Sequence, residues 1–201
     1  MKTLHRPDLF AWSRFDEARN IDFNGYVWVR PEGNVLIDPL AMSEHDLRHL
    51  KSLGGAGTVV ITNSDHVRAA PELAARFGAE LCGPRAERDG FPCACARWLG
   101  EGDEVVPGLV SFELHGSKSP GELALLLDGT TLFTGDLVRS HHKGGLDMLP
   151  AAKVVDRAAA VASIARLAAL PEVEAVLVGD GWPVFRDGAR ALGELARRAG
   201  N

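Results

Sequence analysis

Four short apolar runs, each stopping abruptly at a polar cluster, limit what this chain can fold into. Val59-Val-Ile-Thr62 runs into Asn63-Ser64-Asp65-His66, and Phe112-Glu-Leu-His115 runs into Gly116-Ser117-Lys118-Ser119-Pro120-Gly121. Thr131-Leu-Phe-Thr-Gly135 delivers Asp136, and Ala175-Val-Leu-Val-Gly179 delivers Asp180. The first of these, in Gly57–Thr62, is apolar without a break and reads as a strand buried on both faces, which needs covering layers. The covers are legible in the same way. A helix is predicted over 43–53, with Ser43 as N-cap, Leu47, Leu50 and Leu53 on one face, and Gly54-Gly55 as its stop. A second is predicted from about 66 to 77, ending at Gly78, with Pro71 limiting the regularity of its start. A third spans 153–170, with Val154, Ala158, Val161, Ile164 and Ala168 at helical spacing; the last spans about 186–199 and buries Leu192, Leu195 and Ala199.

Strands at 25–30 and 34–39 flank Pro31-Glu32-Gly33 as a hairpin, and three more follow between Gly108 and Gly135, the last two joined at Asp128-Gly129. Residues 83–102, rich in Gly, Pro and Cys, read as loops around a short helix. Strands that pair locally in some places and alternate with helices in others predict an α/β (α+β) architecture, with mixed sheets and helices on their outer faces.

With 201 residues and no composition break, residues 1–201 read as a single domain. A net charge of −5, with arginines scattered among acids, argues against a nucleic-acid partner and against an anionic membrane surface. There is no secretory leader pattern near the start and no run of 18 apolar residues, so a cytoplasmic location is expected. The three cysteines, Cys82, Cys93 and Cys95, then read as free thiols.

In layered α/β folds, ligands gather at the carboxyl ends of strands. If the four strand ends share one rim, Asp65, His66, Asp136 and Asp180 meet there beside Lys118. Singly, each has an ordinary structural role: Asp65 as a helix cap, Asp136 and Asp180 as turn formers, His66 as a core histidine. Jointly they do not, because three adjacent carboxylates resist ionising unless a cation compensates. Aspartate oxygens plus an imidazole nitrogen form a donor set that zinc, iron or manganese accepts, and one such divalent ion together with Lys118 would cancel three Asp charges.

These motifs, taken in order, resemble the metallo-β-lactamase superfamily along nearly the whole chain. "NVLIDP", the strand running into Asp65-His66, "SPGE", "LFTGD" and "VLVGDG" follow that family's order and approximate spacing. The resemblance implies a four-layer αββα sandwich with a metal centre at the edge between two sheets. It also implies hydrolysis of an amide, ester, thioester or phosphodiester, and a homodimer is common among such proteins. The departures are specific. The family's first motif reads His-x-His-x-Asp-His, but Ile61 and Asn63 stand where its histidines would be; shifting the strand end makes Asn63 the replacement for the first histidine instead. Lys118 replaces the histidine of Gly-His-Thr-Pro-Gly, Asp136 matches the bridging aspartate, and Asp180 replaces the histidine of Gly-His-Gly.

The reading that follows is a metal-dependent hydrolase with a reduced, mononuclear site. One divalent ion (Zn, Mn or Fe) would sit on Asp65, His66, Asp136 and Asp180, with Lys118 standing for the second metal. Lys118, Asn63 and Asp65 are the candidate catalytic residues, Lys118 polarising a carbonyl or phosphoryl oxygen and Asn63 adding a hydrogen bond. Arg139, His141 and Trp182 are candidate substrate contacts at the mouth, suited to a small anionic molecule. The alternative is a metal-free, inactive protein of the same fold that binds a small anionic ligand or a partner, its carboxylates satisfied by Lys118 and a protonated His66. A nucleic-acid-processing role is weakest, because the chain is acidic.

Overall fold

The computed structural model describes residues 1–142 and 144–200. A seven-stranded sheet comes first, in sequential order: β1 (Lys2–Thr3), β2 (Leu9–Asp16), β3 (Ile21–Trp28), β4 (Val35–Ile37), β5 (Thr58–Val60), β6 (Glu80–Pro84) and β7 (Arg97–Leu99). Its first four strands pair antiparallel and the rest pair parallel. Parallel neighbours need crossovers, and α1 (Glu44–Ser52) and α2 (Ala70–Phe77) supply two of them. The second sheet holds β8 (Glu104–Val106), β9 (Leu109–Leu114), β10 (Glu122–Leu127) and β11 (Thr131–Thr134) as antiparallel neighbours. A two-stranded ribbon, β12 (Val138–Arg139) with β13 (Asp147–Met148), and helix α3 (Arg157–Ala168) lead to β14 (Ala175–Val178), which lies parallel to β11; α4 (Gly188–Gly200) closes the chain.

Strand alternation sorts the apolar residues into three seams. Tyr26, Val35, Ile37 and Val60 of the first sheet face Leu123, Leu125, Phe133 and Leu177 of the second. The opposite face of the first sheet presents Val27, Leu36 and Val59 to Leu47 and Leu50 of α1 and Leu73 of α2. The opposite face of the second presents Leu132, Val176 and Val178 to Ile164 and Leu167 of α3 and Leu192 and Leu195 of α4. Three apolar seams separate four layers, α–β–β–α. In β4, β5, β11 and β14 both faces are buried, so the sequence there reads as unbroken apolar runs.

Ser43 caps α1, its Oγ accepting from Asp46 N at 3.1 Å, and Asp128-Gly129 joins β10 to β11. Four expectations need correcting. β1 and β2 were not anticipated, because Ser13, Arg14 and Phe15 are exposed and dilute the pattern of β2. Residues 83–102 contribute the end of β6 and all of β7 in addition to a 3-10 turn over Arg85–Glu87. The predicted helix over 66–77 splits into a 3-10 turn, Ser64–His66, and α2, because Arg68 sits at φ +43° between them. α3 buries Ala160, Ser163, Ile164 and Leu167, a stripe rotated from the predicted one. Its alanines give little contrast between faces, and Ser163 turns inward to bridge the His115 amide (2.9 Å) and carbonyl (3.2 Å).

Candidate metal centre

The two sheets are stitched together where β3 passes the end of β14. Asn24 donates from its backbone N to Gly179 O (2.9 Å) and from Nδ2 to Val178 O (3.0 Å) and Gly181 O (2.7 Å); Tyr26 Oη also donates to Val178 O, at 2.7 Å. This stitch brings Asp180 to the carboxyl end of β5, where the 3-10 turn carries His66. A methyl group on Gly179 would lie 2.6 Å from His66 Cε1, so only glycine lets the imidazole reach this position.

His66 is fully buried and is held from behind. Its Nδ1 lies 2.7 Å from Asp38 Oδ2, and the same carboxylate accepts from Thr62 N (2.7 Å) and Thr62 Oγ1 (2.6 Å). With Nδ1 engaged, Nε2 faces forward, 3.8 Å from Asp136 Oδ2 and 3.7 Å from Asp180 Oδ1. All three residues are buried, and their ligating atoms lie within 4.8 Å of one another.

Three cations surround this group. Lys118 Nζ lies 2.9 Å from Asp136 Oδ2 and also pairs with Asp65. This ion pair sets a positive charge directly against the buried Asp136 carboxylate. Asp180 is gripped from two sides, by Arg139 at 3.2 Å and Arg68 at 3.4 Å. Arg68 is itself anchored on Asn24 O at 2.7 Å and Asp38 O at 3.2 Å, which accounts for its left-handed backbone.

The electrostatics follow from burial set against these partners. Burial and the Arg68 charge disfavour the imidazolium of His66, but Asp38 and Asp136 outweigh them and its pKa lies above the ordinary histidine value. Burial works against ionising Asp136, yet His66 and Lys118 hold its carboxyl below the usual range. Asp180 goes the other way, raised by burial and by the Asp136 charge, which His66 and the two arginines only partly offset. Lys118 is pushed down by burial and up, by more, by Asp65 and Asp136, so it stays charged. Beneath them Glu122, fully buried with Oε2 unpartnered, is pushed up to about 8 by burial and by Asp136.

The residues fit a divalent ion. Ligand distances of about 2.1 Å allow donor atoms up to roughly 4.2 Å apart; both Nε2–carboxylate separations satisfy that, and the whole set lies within 4.8 Å. A buried histidine whose rear nitrogen is fixed by a carboxylate while its other nitrogen faces two buried carboxylates is a further mark of a ligand set.

The site residues expected from sequence divide. His66, Asp136 and Asp180 meet, with Lys118 beside them. Asp65 does not join: its carboxylate is 60% exposed and points to Lys118 from the pocket wall. Asp65 and His66 line the same pocket from one 3-10 turn, but the Asp65 carboxylate sits at its open side while the His66 ring is buried. Asn63 caps that turn, its Oδ1 accepting from Asp65 N at 3.0 Å, while Nδ2 is buried without a partner. Arg139 is turned inward onto Asp180 instead of standing at the mouth. His141 and Trp182 line a separate notch with Phe15 and Ile21. Sequence reasoning missed Asp38 and Arg68. The signal for Asp38 was there, since "NVLIDP" also ends an apolar strand in an aspartate; Arg68 had none.

The chain belongs to the metallo-beta-lactamase superfamily, whose family pattern it matches over residues 1–199. Similar solved structures include a metallo-beta-lactamase from Pontibacter korlensis, at TM-score 0.77 and 17% identity, covering 99% of this chain and 98% of that one. One from Erythrobacter litoralis has TM-score 0.76 and 14% identity, covering 98% and 95%. The metallo-beta-lactamase FIM-1 from Pseudomonas aeruginosa, solved in its mono-zinc form, has TM-score 0.68 and 16% identity, covering 95% and 91%. At these identities the likeness is one of fold. No curated protein matches the chain at a significant level. The fold is one used by metal-dependent hydrolases, and the His66–Asp136–Asp180 group could hold a divalent ion. No helix among the described residues is long and apolar enough to cross a membrane.

Proposed function

We propose that this chain is a hydrolase with a mononuclear site, in which His66 Nε2, Asp136 and Asp180 hold one divalent ion. One observation carries the reading: a buried imidazole, pinned at Nδ1 by Asp38, aims its free nitrogen at two buried carboxylates. An ion bound there would act as a Lewis acid and lower the pKa of a water beside it towards neutrality. The chain's own residues do the rest. Asp38 fixes the ring of His66, Arg68 and Arg139 fix the carboxylate of Asp180, and Lys118 offers a fixed positive charge to a substrate carbonyl or phosphoryl oxygen. The pocket, about 400 Å³, sets Arg19, Arg68 and Lys118 against Asp16, Asp65, Asp136 and Asp180, so a bound divalent ion would turn its balance positive and suit a small anionic ester, thioester or phosphodiester. A donor set richer in oxygen than a histidine cluster lets manganese and iron(II) compete with zinc.

A second reading, a metal-free ligand-binding protein, is favoured by the Lys118–Asp136 contact and by the two arginines on Asp180. Asp38, Asp136 and Asp180 are then already balanced by three cations without an ion. Elemental analysis after loading with zinc, manganese or iron separates the two. The hydrolase reading expects about one equivalent bound, lost in both Asp136→Ala and Asp180→Ala. An empty wild type under all three metals overturns it.

A further inference from the structure

At the end of the sandwich opposite the His66 rim, a furrow of about 480 Å³ runs along α1 towards the end of α2. Leu47 and Phe77 form its apolar part, and Arg48, Lys51 and Arg76 stand around it with Glu44 at the far end. Both helices cross back between parallel strands, so their C-termini lie away from the strand ends that bear the site. We propose that this furrow is a second binding site, for a small amphiphilic organic anion: an apolar or aromatic body carrying a phosphate, sulfonate or carboxylate group.

Basic residues in the last turn of a helix ordinarily answer the unpaired carbonyls there. In α1 those carbonyls are already served. Leu53 N donates to His49 O and Leu50 O (3.1 Å each), Gly54 N to Lys51 O (3.1 Å), and Gly55 N to Leu50 O (2.9 Å). Asn34 Nδ2 reaches across to Leu53 O at 2.9 Å and Gly55 O at 2.8 Å. The helix end therefore places little demand on Lys51, and Arg48 lies outside that last turn. Among the described residues none of the three cations is in an ion pair, whereas Arg6, Arg85, Arg139 and Arg166 each meet a carboxylate. On a chain of net charge −5, three unpaired cations around one apolar furrow form a local positive field.

The floor is shaped as well as charged. Gly55 has φ +77°, and a methyl group there would lie 2.9 Å from Phe77 Cδ1, so the glycine lets the ring lie flat against the chain. The volume matches a single small molecule, and apolar lining with a few convergent charges is the usual make-up of such sites.

The probe is anilinonaphthalene sulfonate, which pairs an apolar aromatic body with one anionic group. Titration of the full chain should show saturable fluorescence enhancement at one equivalent, weakening as salt rises. Lys51→Glu/Arg76→Glu should weaken it by about tenfold or more, while Lys51→Gln/Arg76→Gln, which removes charge without reversing it, should give an intermediate loss. Circular dichroism confirms that each variant is folded. Asp136→Ala should leave binding unchanged, so a failure here is distinct from a failure at the His66 site. Binding that is absent, unsaturable or indifferent to both charge variants overturns the proposal. So does a poly-glutamate chain that binds the furrow where the small anion does not.

Discussion

The seam between the two sheets and the rim at its end are equally buried, yet they are held by opposite means. In the seam, Tyr26, Ile37, Leu125, Phe133 and Leu177 pack as hydrocarbon and ring, and burial itself is the stabilising term. At the rim, Asp38, His66, Asp136, Asp180 and Arg139 are as dry, but burial opposes them and only their pairing makes it tolerable. The seam tolerates exchange of one apolar shape for another of similar volume. The rim does not, because each side chain is another's counter-charge.

Perturbing both regions sharpens the contrast. Phe133→Ala, in the middle of the seam, should cost roughly 3–5 kcal/mol in urea unfolding, with the ligand set intact in whatever fraction stays folded. Asp38→Ala is expected to cost about 3 kcal/mol, since Thr62 N, Thr62 Oγ1 and His66 Nδ1 all lose their acceptor. It should also abolish metal uptake; normal loading of this variant would mean that Asp38 does not position His66.

Glu122 supplies the pH test. Its folded pKa of about 8 lies above the ordinary 4.5, so ionisation costs more in the folded chain. The stability tied to its neutral form is full below about 4.5 and falls away as pH rises through about 8. Glu122→Gln should therefore flatten the pH dependence of unfolding, the variant gaining on the wild type from pH 5 to pH 8. Parallel curves for the two proteins would refute the assignment. The smallest effect is reserved for Asp65→Asn. Its carboxylate is 60% exposed, so loss of the Lys118 pair should cost no more than about 1 kcal/mol and leave metal stoichiometry unchanged. Loss of the ion in this variant would restore Asp65 to the ligand set.

What the sequence disclosed follows the same division. The strands of the seam stand out because apolar runs are dictated locally, and Ser43 and Asp128-Gly129 act within a few residues of themselves. Asp136 and Asp180 were legible as strand-end acids. Their partners were not. Arg68 reaches Asp180 across 112 positions, and Arg139, five residues past β11, reads equally well as a surface charge. Asp65 stands apart from the buried group because its carboxylate is exposed at the pocket's open side, a difference that sequence adjacency to His66 does not show. β2 escaped because one of its ends lies open to water, which erases the cue on which the other strands depend.

The stitch between β3 and the end of β14 also governs motion. Prising the sheets apart would strand the Asn24 amide, the Tyr26 hydroxyl and three carbonyls in a dry interior, at about 1–3 kcal/mol for each group. The sandwich therefore breathes as a single block. Anything entering the charged pocket passes between its surface segments, the turn near Arg19 on one side and the Lys118 loop on the other. Amide exchange at Asn24 and Gly179 as slow as global unfolding, beside fast exchange near Arg19, is the signature to look for.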